Sequence, residues 1–425
     1  MRQVTARFLF VPPLLVAAAA AIGSTGGEAT SGLGQAFAPC GPHHFVADRG
    51  RPPDAIEAYF TRRSYAPGEF ARLNVIRARD RTTVRIFRAF AGRPPSRRAN
   101  VMTGMSVGVP LAVRGSRVEI RIGTWKSGLY FARLVSRGGV GYAPFIVRAA
   151  VAGANDVAIV LPTNTWEAYN FLDQDRNGFG DTWYADPRVD TVRFDRPFLN
   201  RGVPPHLGSF PYWVWLYGKH ADYLADDDLD AASSADALAR LYRLIIFAGH
   251  EEYATSREFD VMSRYRDLGG NLAFLSANNF YARVVRTGEA IRCAGHFRDI
   301  GRPEAALVGV QYLDWNRGVY RNRPYVVTGA RRAPWLFRGT HLDNGSRFGF
   351  SYGVEIDTLA PSSPRGIAVL AELPNIFGPG RTAKMTFYTA PSGGRVFAAG
   401  AMNFDSSQST ITDRLLLNLW TFLSR

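Results

Sequence analysis

Three short apolar runs constrain this chain more than anything else in it: VAIVL at Val157–Leu161, LIIF at Leu244–Phe247 and LAFL at Leu272–Leu275. Each is too short for a helix and holds no polar residue. A strand with one face in water alternates, so an unbroken run marks a strand buried on both faces, as in a parallel sheet. A fourth, shorter strand is expected at ADYL, just before Ala225. Between the second and third runs lies SREFDVMSRYRDLGG, with Phe259, Met262, Tyr265 and Leu268 at helical spacing and a Gly pair to end it. Strands alternating with helices predict a doubly wound α/β sheet.

Upstream the pattern differs. From residue 55 to about residue 150, stretches such as FARLNVIR, TTVRIFRAF, SRVEIRIG and GLYFARLV alternate with period two and are separated by turn clusters. They predict a small β-sandwich of immunoglobulin-like kind, preceded by an arm over 39–54. The α/β domain then runs over 151–425, with a β-rich insertion at about 298–380. GRVFAAGA and ITDRLLLNLWTFL follow and are expected to complete the sheet with a last strand and helix.

The formal net charge is +15, carried almost wholly by arginine, since Lys126, Lys219 and Lys384 are the only lysines. The arginines are scattered, with no run of five basic residues, which argues against nucleic acid as a partner. Arg2 and Arg7 precede the apolar stretch Phe8–Ile22, which has the length of a signal-peptide core and is short for a membrane span. Residues 1–38 therefore read as a signal peptide and the mature chain as secreted, with no transmembrane segment expected. In that setting Cys40 and Cys293, the only cysteines, can pair.

Ligands of open α/β sheets bind beyond the carboxyl ends of the strands. Those ends lead here to TNTWEAYN, ADDDLD, GHEE and SANN, and the last strand leads to Asn403. So many hydrogen-bonding and anionic groups on one edge predict a site. A side-chain nucleophile is missing from it: no cysteine follows a strand, no GxSxG elbow occurs, and HEEYA lacks the second His of a zinc helix. Carboxylate, imidazole, phenol and amide remain. That set suits water activated by a Glu alone or by a hard metal ion. Phenolate beside carboxylate favours a trivalent ion such as iron over zinc. By pattern alone Glu251 reads as a helix-start or surface carboxylate.

VLPTNTWEAYN, IFAGHEEY, YRDLGGNLAFLSANNFY and SYGVEID together resemble the large (beta) subunit of N,N-dimethylformamidase and its exported relatives, over most of residues 55–425. The resemblance implies an amidotransferase-like α/β domain without its cysteine. It also implies an amidohydrolase acting on linear, small-molecule amides, with water on a ferric ion attacking the carbonyl. The implied metal ligands are Tyr130, Tyr169 and Glu252, with Tyr142 as a substitute for Tyr130. His250 would neighbour the metal, Asn278 would contact substrate and Glu355 would be the further acid. Relatives are expected to carry an acid near position 389, where this chain has Thr389. A small partner subunit and a homo-oligomer remain open. Two other readings stand beside the amidase: a non-catalytic extracellular module that binds a small ligand in the same cleft, and a metal-free glycan hydrolase using Glu252 and Glu355.

FLDQDRNGFGDTW brings Asp173, Asp175, Asn177, Gly178 and Asp181 to the first, third, fifth, sixth and ninth positions of a calcium loop. The twelfth position, where a bidentate Glu belongs, is Tyr184. Calcium binding and a plain Asx-rich turn are both compatible with this spacing.

Overall fold

A computed structural model describes residues 40–41, 45–48, 50–78, 81–91, 100–206, 211–232, 234–319, 323–350, 353–404 and 409–425. The expected signal peptide, residues 1–38, lies outside the described residues. No helix among the described residues is long and apolar enough to cross a membrane.

Two sheets form the first part of the chain. Strands Glu57–Phe60, Phe70–Arg77 and Arg117–Arg121 make one. Ser64–Tyr65, Gly139–Val147, Gly128–Ser136, Thr83–Ala89 and Gly104–Ala112 make the other, in that order. Their inward residues, among them Leu73, Ile86, Ile120, Ala132 and Phe145, share one core. The alternation seen in the sequence is the alternation of these buried and exposed positions: Phe70–Ile76 runs exposed, buried, exposed, buried, half-buried, buried, exposed.

A nine-stranded sheet organises the remainder. From one edge its order is Asp222–Ala225, Val157–Leu161, Leu244–Phe247, Asn271–Phe274, Arg395–Ala398, Ala383–Thr389, Ala368–Leu373, Tyr325–Val327 and Arg347–Phe348. The first five strands are mutually parallel. Alternate residues of the parallel strands enter two separate cores: Ile159, Ile246 and Ala273 on one face, Val160, Ile245 and Leu272 on the other. Burial on both faces is the reason these runs carry no polar residue. Helices Ala235–Leu241 and Ser256–Asp267 contribute Leu238, Phe259 and Met262 to the second face. The first face is covered by helix Thr410–Leu423, through Leu415, Leu419 and Trp420, together with sandwich residues such as Leu129 and Ile146.

Helix Ser256–Asp267 starts where Thr255 and Glu258 form a reciprocal capping box. It stops at Leu268, where Gly269 takes a φ of +93° and any side chain on Gly270 would strike the Tyr265 ring. The β-rich stretch expected as an insertion joins the main sheet in part, while Gln311–Trp315 and Glu355–Thr358 pair with each other in a separate two-stranded sheet. Three of its strands, Tyr325–Val327, Arg347–Phe348 and Ala368–Leu373, extend the parallel half with antiparallel neighbours. Strand accounts for 35% of the chain and helix for 17%, so the molecule is a β-rich α/β protein rather than an even alternation of layers. The helical windows it does have are short, and Thr163–Ala168, which sequence reading leaves as a loop, is one of them.

Candidate functional site

The carboxyl ends of the parallel strands deliver the site. After Phe247 the chain turns at Gly249, whose φ of +102° no side-chain-bearing residue adopts readily, and presents His250, Glu251 and Glu252. The backbone N–H groups of Glu252 and Tyr253 both donate to Thr165 Oγ1, at 3.1 and 3.3 Å. This fixes the turn to helix Thr163–Ala168, which follows the neighbouring strand. Tyr169 closes that helix, and its hydroxyl donates to Glu252 Oε2 at 2.8 Å.

The other oxygen of Glu252 receives a second phenol. Tyr184 Oη donates to Glu252 Oε1 at 3.0 Å, and the Tyr169 and Tyr184 rings stack with centroids 4.3 Å apart. The Asp173–Tyr184 loop brings Tyr184 there: Thr182 Oγ1 donates to the carbonyl of Ala168, so the loop returns to the end of the helix that carries Tyr169. Burial first, and then the negative charge of Glu252, hold both phenols well above the usual tyrosine range.

His250 is fully buried between two carboxylates. Its Nε2 lies 3.1 Å from Glu252 Oε2 and 3.7 Å from Glu355 Oε2, and its Nδ1 is 3.1 Å from the carbonyl of Ala277. All three neighbours are acceptors, so both ring nitrogens are called on to donate. Burial opposes a charge on the ring, but Glu355 and Glu252 outweigh it and push the pKa up to about 9. Glu355, pushed up to about 7 by burial, accepts from Asn278 Nδ2 at 2.8 Å.

Asn278 follows the strand Asn271–Phe274 in the left-handed region, φ +56°, which a non-glycine residue adopts only when its surroundings hold it there. The Asp357 carboxylate does so by accepting from the Asn278 backbone N–H at 2.8 Å. Among the described residues Asn278 Oδ1 has no hydrogen-bond partner although it is buried. Glu355 and Asp357 reach this place because strand Glu355–Thr358 pairs with the chain just past the last parallel strand. Asp357 N donates to Gly400 O, and Met402 N donates to Glu355 O.

The structure thus brings together Tyr169, Glu252, His250, Asn278 and Glu355. Tyr130 is not among them. It lies in the sandwich core, stacked on Trp125, with its hydroxyl donating to the Lys126 carbonyl at 2.8 Å; burial pushes its pKa up to about 12. Tyr142 is also buried elsewhere, edge-on to Phe131. The second phenol at Glu252 is Tyr184. Glu251 departs from the surface reading as well. It is 2% exposed and sits with Asp226 and Glu258 in a buried acidic group, its own pKa held high by burial and by Asp226.

Position 389 falls at the far end of the sheet. Thr389 pairs with Arg395, at the amino end of the last parallel strand, and is exposed. A carboxylate there would be remote from His250. Sequence reasoning also passed over His206, which stands edge-on to Tyr169 at 4.6 Å and 5.2 Å from the His250 ring. Asp357 carried a usable signal, since a residue two past Glu355 on a strand shares its face.

Among the described residues, Asp173, Asp175 and Asp181 form the one group of three or more His, Cys, Asp or Glu side chains whose ligand atoms all lie within 4.8 Å of one another. Asp173 accepts from the backbone N–H of Asn177 and Gly178, and Asp181 from that of Gln174. Cys40 and Cys293 are joined in a disulfide with Cα atoms 5.9 Å apart.

Glu252 gathers carboxylate and phenol oxygens in one place, and such hard donors are the kind a trivalent cation takes. Only a strong positive charge would ionise phenols whose burial and acidic neighbour both oppose it.

No curated protein matches the chain. Solved structures that resemble it do so remotely. "mmIFT52 N-terminal domain" has a TM-score of 0.27 and 14% identity, covering 49% of this chain and 87% of that one. A Paenibacillus sp. cycloisomaltooligosaccharide glucanotransferase complexed with cycloisomaltoheptaose has a TM-score of 0.15 and 10% identity, covering 57% of this chain and 34% of that one. Likenesses this slight carry no argument. The family described as "N,N-dimethylformamidase beta subunit-like, C-terminal" matches residues 116–413, well over half of the chain and the whole of the site just described. The chain belongs to the N,N-dimethylformamidase beta subunit-like family.

Proposed function

We propose that the protein hydrolyses the C–N bond of a small amide, using a ferric ion held by Tyr169, Tyr184 and Glu252. The observation that carries this reading is the single carboxylate of Glu252, bonded through one oxygen to Tyr169 and through the other to Tyr184. A ferric ion in such a donor set supplies Lewis acidity, lowering the pKa of water and polarising a carbonyl. The side chains do the rest. Charged at neutral pH, His250 Nε2 holds Glu252 and Glu355 in one geometry. Glu355, beside His250 and bonded to Asn278, has its carboxyl pushed up to about 7 by burial, which suits it to take a proton from water and hand it to a departing amine. Asn278 keeps one amide hydrogen beyond its bond to Glu355, and Oδ1, for the substrate's amide group.

Thr389, the one departure from the acid expected in relatives, would favour a non-catalytic binding module, but that position lies at the far end of the sheet from this site. A glycan hydrolase is disfavoured on other grounds. His250 Nε2 contacts both Glu252 and Glu355, and both oxygens of Glu252 are already engaged by Tyr169 and Tyr184, which leaves Glu252 no free oxygen to act as a glycosidic nucleophile or base. We also propose export of the mature chain, supported by the leader-like residues 1–38 and by a disulfide of the kind that persists in oxidising compartments.

The test is metal analysis and a visible spectrum of the mature protein, with a panel of linear amides, beside Tyr169→Phe. About one iron per chain, a tyrosinate charge-transfer band that weakens in the variant, and amide turnover are expected. No iron after reconstitution together with no turnover would sink the proposal.

A further inference from the structure

We propose that Tyr253 is a positioning residue, one that donates a hydrogen bond to Tyr184 and so tunes the phenol that Tyr184 offers beside Glu252. The inference rests on the metal reading for its consequence, but its geometry stands independently of that reading.

A proton inventory gives the direction of the bond. Tyr184 has one hydroxyl hydrogen, and it goes to Glu252 Oε1, an acceptor. In its close contact with the Tyr253 hydroxyl, Tyr184 must therefore accept and Tyr253 must donate. Tyr253 is itself held by Trp183, whose indole Nε1–H can only donate and lies 3.2 Å from the Tyr253 oxygen. That contact occupies a lone pair of Tyr253 and leaves its hydrogen for Tyr184. A second acceptor competes for this hydrogen, the Cys40 carbonyl at 3.3 Å. As a phenolate, Tyr184 is the stronger, charge-assisted acceptor and would win that competition.

The relay is rigid. Trp183 and Tyr253 are both fully buried, and they pack with Ala168, Val192 and Cys293 in one cluster. Tyr253 opens the short strand Tyr253–Thr255, so its backbone is fixed by the pairing with Ala282–Arg286. The arm that supplies the Cys40 carbonyl is tied down by the disulfide to Cys293. A donor aimed at a ligand oxygen withdraws electron density from it, and partners of this kind typically alter metal affinity 10- to 100-fold.

Tyr253→Phe keeps the ring and deletes the donor. In the iron-loaded protein the tyrosinate band is expected to move to longer wavelength, because an unbonded phenolate is a stronger electron donor. Iron affinity is expected to change by about 10- to 100-fold. Trp183→Phe, which frees the Tyr253 hydroxyl, should shift the band less and in the same direction. A second readout needs no metal. In metal-free protein labelled with ¹³C at tyrosine Cζ, Tyr253→Phe should displace the Tyr184 signal, assigned with Tyr184→Phe, and leave that of Tyr130 in place. Absence of iron or of the band in the unaltered protein would refute the metal reading and leave the carbon signal to decide on Tyr253. An unmoved Tyr184 signal would overturn the inference, as would an unchanged band and affinity in protein that does bind iron. A melting temperature for the metal-free variant within a few degrees of its parent's, the loss expected for one hydrogen bond, would show that the readouts report position and not unfolding.

Discussion

Replacing Tyr184 with Phe, with Tyr130→Phe as its partner, decides which tyrosine stands beside Glu252. Tyr184 donates to a buried carboxylate at 3.0 Å, a class of bond worth about 1.5–3 kcal/mol. Glu252 keeps Tyr169 and His250 after the change, so the loss belongs at the lower end, near 1.5 kcal/mol. In a chain of this size that lowers the melting temperature by roughly 1–3 °C, so the variant remains folded and can be loaded with iron. Tyr130→Phe removes a neutral bond to the Lys126 carbonyl at 2.8 Å and costs about 1 kcal/mol, a similar thermal shift. The two variants separate in the visible spectrum. Tyr184→Phe should reduce the charge-transfer intensity by roughly half, one of two phenolates being gone, whereas Tyr130→Phe should leave it whole. The assay is iron titration followed at the band maximum, with melting curves as the folding control. A band that survives in Tyr184→Phe and disappears in Tyr130→Phe would refute the assignment and with it the reading of the Asp173–Tyr184 loop as the carrier of the second phenol.

Glu167 is fully buried between Arg63 at 2.8 Å and Arg196 at 3.6 Å, and it sits two residues before Tyr169. Glu167→Gln takes the bonded counter-charge from both guanidinium groups, leaving them only the more distant Asp181 and Asp195, and should cost on the order of 3 kcal/mol by denaturant unfolding; a loss under about 1 kcal/mol would contradict that account. Asp357 predicts a pH dependence. Burial pushes its carboxyl up to about 8. An acid whose folded pKa is raised binds its proton more tightly when folded, so its contribution is fully present below about pH 4 and is lost as the pH rises through the folded value. Asp357→Asn keeps an acceptor for the Asn278 N–H and removes the titration, so between about pH 5 and pH 9 the unaltered protein should lose melting temperature more steeply than the variant. Parallel curves would count against it. For the aspartate loop, calcium at ten times a millimolar Kd should add about 1.4 kcal/mol of stability, read as a rise in melting temperature. No rise would leave Asp173, Asp175 and Asp181 as an Asx-rich turn closed by its own backbone N–H groups.

The half of the site built on parallel strands was legible in the sequence. His250, Glu252 and Asn278 each lie within a few residues of a strand end, and a doubly buried strand announces itself by an unbroken apolar run. Tyr169 was legible for the same reason, although its setting is the end of a short helix rather than a loop. Tyr184 was not. It sits at the twelfth position of a loop whose aspartates invite a calcium reading, and its approach to Tyr169 depends on a Thr182 bond to the Ala168 carbonyl that no local periodicity encodes. Tyr130 was implied only by the family resemblance, and strand Gly128–Ser136 turns that position into the sandwich core, where an aromatic on an alternating strand ordinarily lies. The insertion was misjudged because antiparallel edge strands and a separate β unit have the same local pattern, and only pairing partners tell them apart.

Glu355 shows how a long-range pairing can choose a site residue. Its strand does not belong to the main sheet; it pairs with Gln311–Trp315 on one side and meets the chain leaving Arg395–Ala398 on the other. The exit of the last parallel strand therefore fixes which carboxylate faces His250, and the alternation of a strand makes Asp357 the next one on the same face. One of the pair accepts from the side chain of Asn278 and the other from its backbone. Two acceptors on one strand thus hold Asn278 in the left-handed region, which asparagine tolerates better than other residues with side chains. Proximity to His250 is set by that strand exit, which places Glu355 beside the ring, whereas Thr389 sits at the opposite end of the pair Ala383–Thr389 and Arg395–Ala398.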